Sequence, residues 1–148
     1  MCLIIDANRV ADFCDREKPY MQLLWTWISR GGKIVSGGHL ETELFRHGSM
    51  RDLVTQLSRS GQLKRYSRAE IEPIQAHVSP GCRSDDPHVV ALAIRSGADL
   101  VVTEDTALIS DLKNAQLVGT RRKIYKEDNY NPRNIRNHGK LLRALDCP

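Results

Sequence analysis

The block DPHVVALAIRSGADLVVTED, Asp86 to Asp105, limits the possible folds more than any other stretch of this chain. Asp before Pro starts a helix, because Asp is a favoured N-cap and Pro suits the first helical position. An apolar helix follows until Gly97 stops it, and ADLVVT then reads as a buried strand. The helix runs out about 18 Å at 1.5 Å per residue, and the strand returns about 17 Å at roughly 3.3 Å per residue. Asp86 and Asp105 are therefore expected at the same edge of a sheet.

Similar units recur along the chain. CLIID and KIVSGG read as buried strands and QLKRY as a short edge strand. VADFCD, YMQLLWTWISR, HLETELFRHG, MRDLVTQLSRSG, SRAEIEPIQAHV and TALISDLKNA read as helices, with Ser67 and Glu70 forming a capping box and Pro73 threatening a break. Strands alternating with helices imply an α/β sandwich with a central, mainly parallel sheet flanked by helices. At 148 residues the chain fits one domain. The pattern weakens after Val118, where RKIYK is a candidate last strand and HGKLLRAL a terminal helix. Residues 1–118 are read as the core and 119–148 as an extension packed on it or continuing it.

In a parallel α/β sheet, ligands bind where strands end and the following helices begin. Asp6 closes the first strand, Glu43 lies early in the helix after KIVSGG, Asp86 starts the long apolar helix, and Asp105 follows DLVVT. Four close carboxylates repel one another unless a cation neutralises them. Hard oxygen donors without His or Cys point to Mg²⁺ or Mn²⁺, which suits phosphodiester hydrolysis. Each acid has a plainer reading. Asp86 and Asp105 can be helix caps and Glu43 a solvated helix residue, whereas an ionised Asp6 at the end of a buried run needs a partner.

Charge adds a second clue. The net charge is +4, and Gly119 to Pro148 holds eight Lys or Arg against three acids, so the basic excess lies in the tail. That is the footprint of a polyanion binder or of a solvated basic surface. Cys2, Cys14, Cys82 and Cys147 show neither zinc-ligand nor disulfide-framework spacing and are expected to be reduced thiols. No apolar run is long enough for a bilayer, and Asp6 interrupts MCLII too early for a signal peptide, so no membrane contact and a cytoplasmic location are expected. RGGKIV lacks phosphate-loop spacing. A haloacid-dehalogenase phosphatase would want an aspartate where Asn8 stands. The histidines, His88 among them, are expected mostly at the surface.

The blocks LIIDAN, SGGHLETEL and DPHVVALAIRSGADLVVTED, in this order and spacing, resemble the PIN-domain ribonucleases, in particular the small VapC-type toxins. The resemblance covers most of residues 2–112 and implies a PIN-like three-layer sandwich. It implies Mg²⁺- or Mn²⁺-dependent endonucleolytic hydrolysis of RNA, with Asp6, Glu43, Asp86 and Asp105 as catalytic metal ligands. Asn8, Asp85 and Thr103 would support them, and Glu41, Asp85 and Glu104 are register rivals. Arg83 in the loop PGCRS and Arg121, Arg122 and Lys123 in the tail are candidate RNA contacts.

The resemblance further implies a homodimer and a cognate antitoxin or other regulatory protein, with Trp25 and Trp27 as interface candidates. One of the two is expected in the core, since their helix is apolar nearly all round. The longer basic tail departs from the compact toxins. The rival reading is a PIN-like module that binds RNA or protein without cutting.

Overall fold

Each apolar run singled out above forms a strand of one sheet. The computed structural model describes residues 2–127 and 132–143, with residues 132–137 described by backbone alone. In chain order the elements are β1 (Cys2–Ile5), a 3₁₀ turn (Ala7–Arg9), α1 (Val10–Cys14), α2 (Pro19–Ser29), β2 (Lys33–Gly37), α3 (Gly38–Leu44) and α4 (Gly48–Arg59). They continue with β3 (Leu63–Tyr66), α5 (Arg68–Val78), a second 3₁₀ turn (Ser79–Gly81), α6 (Pro87–Ser96), β4 (Leu100–Val102), α7 (Thr106–Lys113), α8 (Ala115–Val118), β5 (Lys123–Tyr125) and α9 (Pro132–Arg143).

The sheet order is β3-β2-β1-β4-β5, and every described pairing is parallel. This is the central sheet flanked by helices that the alternation required. Connections leave β1 toward β2 and β4 toward β5, in opposite directions across the sheet, so the topological switch point falls between β1 and β4. Leu3 pairs with Leu100 and Ile5 with Val102, which brings the two strands to their ends together.

Burial explains why these strands lack polar alternation. Every residue of β1 is fully buried, as expected for a strand covered on both faces. Helix α6 is buried from His88 through Ala93, so it is a core helix packed against α5. Gly97 ends it in the left-handed conformation at φ 66°, which glycine adopts without a Cβ penalty. Ser67 and Glu70 make both bonds of the capping box. The helix expected over this segment forms and runs through Pro73 to Val78, with the proline exposed.

Residues after Val118 supply β5, which pairs with β4 from Leu100–Lys123 to Val102–Tyr125. Tyr125 is fully buried, its hydroxyl donates to the Tyr20 carbonyl, and its ring lies 4.3 Å from that of His138 on α9. The cysteine expectation is corrected at one position. Cys14 and Cys82 are free thiols, Cys2 is disulfide-bonded, which neighbour spacing in the sequence cannot reveal, and Cys147 lies outside the described residues. No described helix is long and apolar enough to cross a membrane.

Trp27 is 8% exposed and belongs to the core, as expected for one of the two tryptophans. Trp25 is half-buried, stacked on Phe13 at 4.7 Å, and donates its indole N–H to the Phe13 carbonyl at 2.8 Å.

Candidate metal centre

The site begins where β1 stops. Asp6 donates its N–H to the Val102 carbonyl at 3.0 Å, extending the β1–β4 ladder by one bond. Its side chain is therefore held at the switch point, 4% exposed. The buried Thr103 hydroxyl donates to Asp6 Oδ2 at 2.7 Å and accepts the Asp105 N–H at 3.2 Å. One hydroxyl thus ties the end of β1 to the start of α7.

Asp86 and Asp105 both occupy N-cap positions but use them differently. Asp105 Oδ1 accepts the Leu108 N–H at 3.0 Å, an ordinary cap. Asp86 precedes Pro87, yet its carboxylate makes no cap bond to α6. It lies instead near Glu43 and His88: one donor atom from each of the three falls within 4.8 Å of the others.

Glu43 reaches this place because α3 starts with no linker after β2. The turn requires glycine twice. A Cβ on Gly37 would stand 2.2 Å from the Tyr66 carbonyl oxygen, and Gly38 has φ 55°. Glu43 is then flanked by two imidazoles, with His88 Nε2 at 2.9 Å from Oε2 and His39 Nε2 at 3.6 Å from Oε1. The two rings meet edge to face at 4.9 Å. His88 is only 5% exposed, an exception to the expectation that most of the histidines lie at the surface, and it brings an imidazole beside Glu43 and Asp86.

The charges in this group are not balanced. Burial pushes the Asp6 carboxyl up; the Thr103 hydroxyl and Ala7 N–H draw it back, while Asp86 and Asp105 raise it further. Burial also pushes Asp86 up; His88 opposes the rise, and Glu43, Asp105 and Asp85 add to it. Carboxylates from four segments therefore bear on one another across the switch point, with the His88 imidazole beside Glu43. A divalent cation fits that excess of negative charge, and carboxylate oxygens are the ligands that Mg²⁺ and Mn²⁺ take.

The remaining predicted residues separate into two groups. Asn8 is exposed in the 3₁₀ turn after Asp6, and Asp85 is exposed and acts on Asp86 through charge. Among the register rivals, Glu41 is paired with Arg65, and Glu104 accepts the Glu127 N–H. Arg83 is exposed three residues before Asp86. Its loop is pinned by the buried Asp111 carboxylate, which accepts the Arg83 N–H at 2.8 Å and the Ser84 N–H at 2.9 Å.

Arg121, Arg122 and Lys123 are not brought to the acids. Lys123 begins β5 opposite Leu100, whereas the acids follow the strand ends, so the trio lies at the other edge of the sheet. Arg122 is 7% exposed and donates to the Ala93 carbonyl at 3.2 Å, a core contact rather than an offered cation. The direction of β5, not the charge of the segment, decides this. Two arginines that the sequence reading passed over lie beside α3 instead. Arg65 and Arg68 line a groove of about 510 Å³ with Gly38, Thr42 and Tyr66.

Two further residues had a signal that composition did not reveal. His88 is a polar residue inside the core helix PHVVALA, and Asp111 is an acid on the buried side of α7; each such residue needs a partner. No family model, curated protein or solved structure matches the chain.

Proposed function

We propose that the protein is a metal-dependent endoribonuclease that hydrolyses RNA phosphodiester bonds at the β1–β4 switch point. One observation supports the reading: acids from four segments converge, with Asp86 and Asp105 bearing on Asp6, and Glu43 and Asp105 on Asp86. Such an arrangement is costly without a cation, since like charges at close range disfavour ionisation. Mg²⁺ or Mn²⁺, when bound, would neutralise the acids, lower the pKa of water and stabilise charge on the phosphate.

The chain's own residues would perform the rest. Asp6 and Asp86 would hold the ion, with the Thr103 hydroxyl holding the Asp6 carboxylate in place. Glu43 would complete the donor set, and Asp105 would contribute the oxygen not used in capping α7. In the reaction, water oxygen bonds to phosphorus, the ester P–O bond breaks, and the leaving oxygen takes a proton. Arg83, exposed in the loop that leads to Asp86, would attract a flanking phosphate.

In this reading the enzyme is of the PIN toxin or defence type, active as a homodimer and controlled by an antitoxin or other regulatory protein. Labelled single-stranded RNA incubated with the protein and Mn²⁺, Mg²⁺ or EDTA tests the activity. Internal cleavage only with metal is expected. RNA binding with no cleavage under any condition would leave the non-cutting module as the better account.

A further inference from the structure

We infer that His88 is itself a ligand of the ion, so that Glu43, Asp86 and His88 form a mixed oxygen–nitrogen site that prefers Mn²⁺ to Mg²⁺. The inference rests on the acid edge being a metal site and specifies which ion it takes.

Geometry supports it first. The three donor atoms fall within 4.8 Å of one another, and donors on opposite sides of an ion at about 2.1 Å stand roughly 4.2 Å apart. Only small side-chain movements are needed to close on one ion. Burial supports it next. A solvated histidine needs no fixed partner, but His88 is 5% exposed in the first turn of α6, with Nε2 directed at Glu43 Oε2.

Chemistry then sets the preference. Both ions favour oxygen, but Mg²⁺ dehydrates reluctantly and gains little from nitrogen, whereas Mn²⁺, the first member of the first-row affinity series, takes an imidazole more readily. A nitrogen donor therefore gains more affinity for Mn²⁺ than for Mg²⁺. His39 has a different part. Its side chain is half-exposed, and its Nε2 stands 3.6 Å from the other Glu43 oxygen, so it is a positioning residue for Glu43 and not a ligand.

The competing arrangement keeps His88 as a hydrogen-bond partner of Glu43 while oxygens alone hold the ion. Electron spin-echo spectroscopy of the Mn²⁺-loaded protein distinguishes the two, because directly bound imidazole gives a ¹⁴N coupling. The coupling is expected in wild type and in His39→Gln, and its absence is expected in His88→Gln. Calorimetry should show Mn²⁺ affinity falling by about tenfold or more in His88→Gln, with a much smaller change for Mg²⁺.

Mn²⁺ binding without ¹⁴N coupling in wild type, or an equal loss of both ions in His88→Gln, would overturn the inference and leave the metal-nuclease reading standing. Wild-type protein that binds neither ion would overturn both. Metal binding with the coupling but without RNA cleavage would spare the ligand assignment and remove the nuclease. The wild-type spectrum decides even where His88→Gln does not fold.

Discussion

Thr103 and Asp6, 97 positions apart in the chain, share a hydrogen bond of 2.7 Å across the β1–β4 switch point. Both are buried, so the hydroxyl is the polar side-chain group that compensates the Asp6 carboxylate. Thr103→Val keeps the shape and removes that donor. A loss of about 1–3 kcal/mol in chemical denaturation is expected, along with an Asp6 carboxyl pushed still higher and weaker metal-dependent cleavage. Unchanged stability would mean that Asp6 does not depend on this bond.

Asp6 and Asp86 both have folded-state pKa values above the ordinary 3.8. The folded protein holds those protons more tightly than the unfolded chain does. Their stabilising contribution is therefore complete below pH 3.8 and is lost as pH rises through the raised values. At neutral pH without metal, Asp86→Asn should raise Tm by a few degrees, while wild type alone should gain from Mn²⁺. Added ion at about 100 times its Kd contributes about 2.7 kcal/mol. A metal-free Asp86→Asn protein that melts below wild type would show that the acids do not strain the fold.

Gly37→Ala should displace the start of α3. The new Cβ would meet backbone, the Tyr66 carbonyl oxygen at 2.2 Å, and backbone cannot rotate away as a side chain can. A loss of about 2–4 kcal/mol is expected in urea denaturation, with Mn²⁺ affinity reduced through Glu43. Wild-type affinity in a folded Gly37→Ala protein would separate Glu43 from the site.

Asp111→Ala would leave the Arg83 and Ser84 amides without their acceptor. The loop leading to Asp86 should loosen, which denaturation would read as a loss of about 2–4 kcal/mol. Calorimetry should show weaker Mn²⁺ binding, although Asp111 itself touches no ion in this account. Rescue of both properties by Asp111→Glu would favour a positioning role. Binding unaffected by Asp111→Ala would contradict it.

The elements most visible in the sequence were those with redundant signals. Helix α6 has a cap, a proline, an apolar run and a terminal glycine, and β4 follows as an unbroken apolar strand. Parallel order then places Asp6, Asp86 and Asp105 at one edge without any side-chain detail. His88 was not legible, because its partner Glu43 is 45 positions away and meets it only once α3 lies on α6. Arg122 was misjudged for the opposite reason: a charge cluster indicates attraction to polyanions, but only the path of β5 decides which way the side chains face. The disulfide state of Cys2 likewise has no local signal in the sequence.

The central claim is that the carboxylates at the switch point bind metal for RNA cleavage, and Asp86→Asn tests it most directly, because this side chain makes no cap bond whose loss would disturb α6. Wild type and Asp86→Asn, matched for folding by circular dichroism, would be assayed on the same labelled single-stranded RNA with saturating Mn²⁺. The account predicts cleavage by wild type, its abolition by EDTA, and a loss of at least about a hundredfold in the variant. Equal cleavage by a folded Asp86→Asn protein would contradict it.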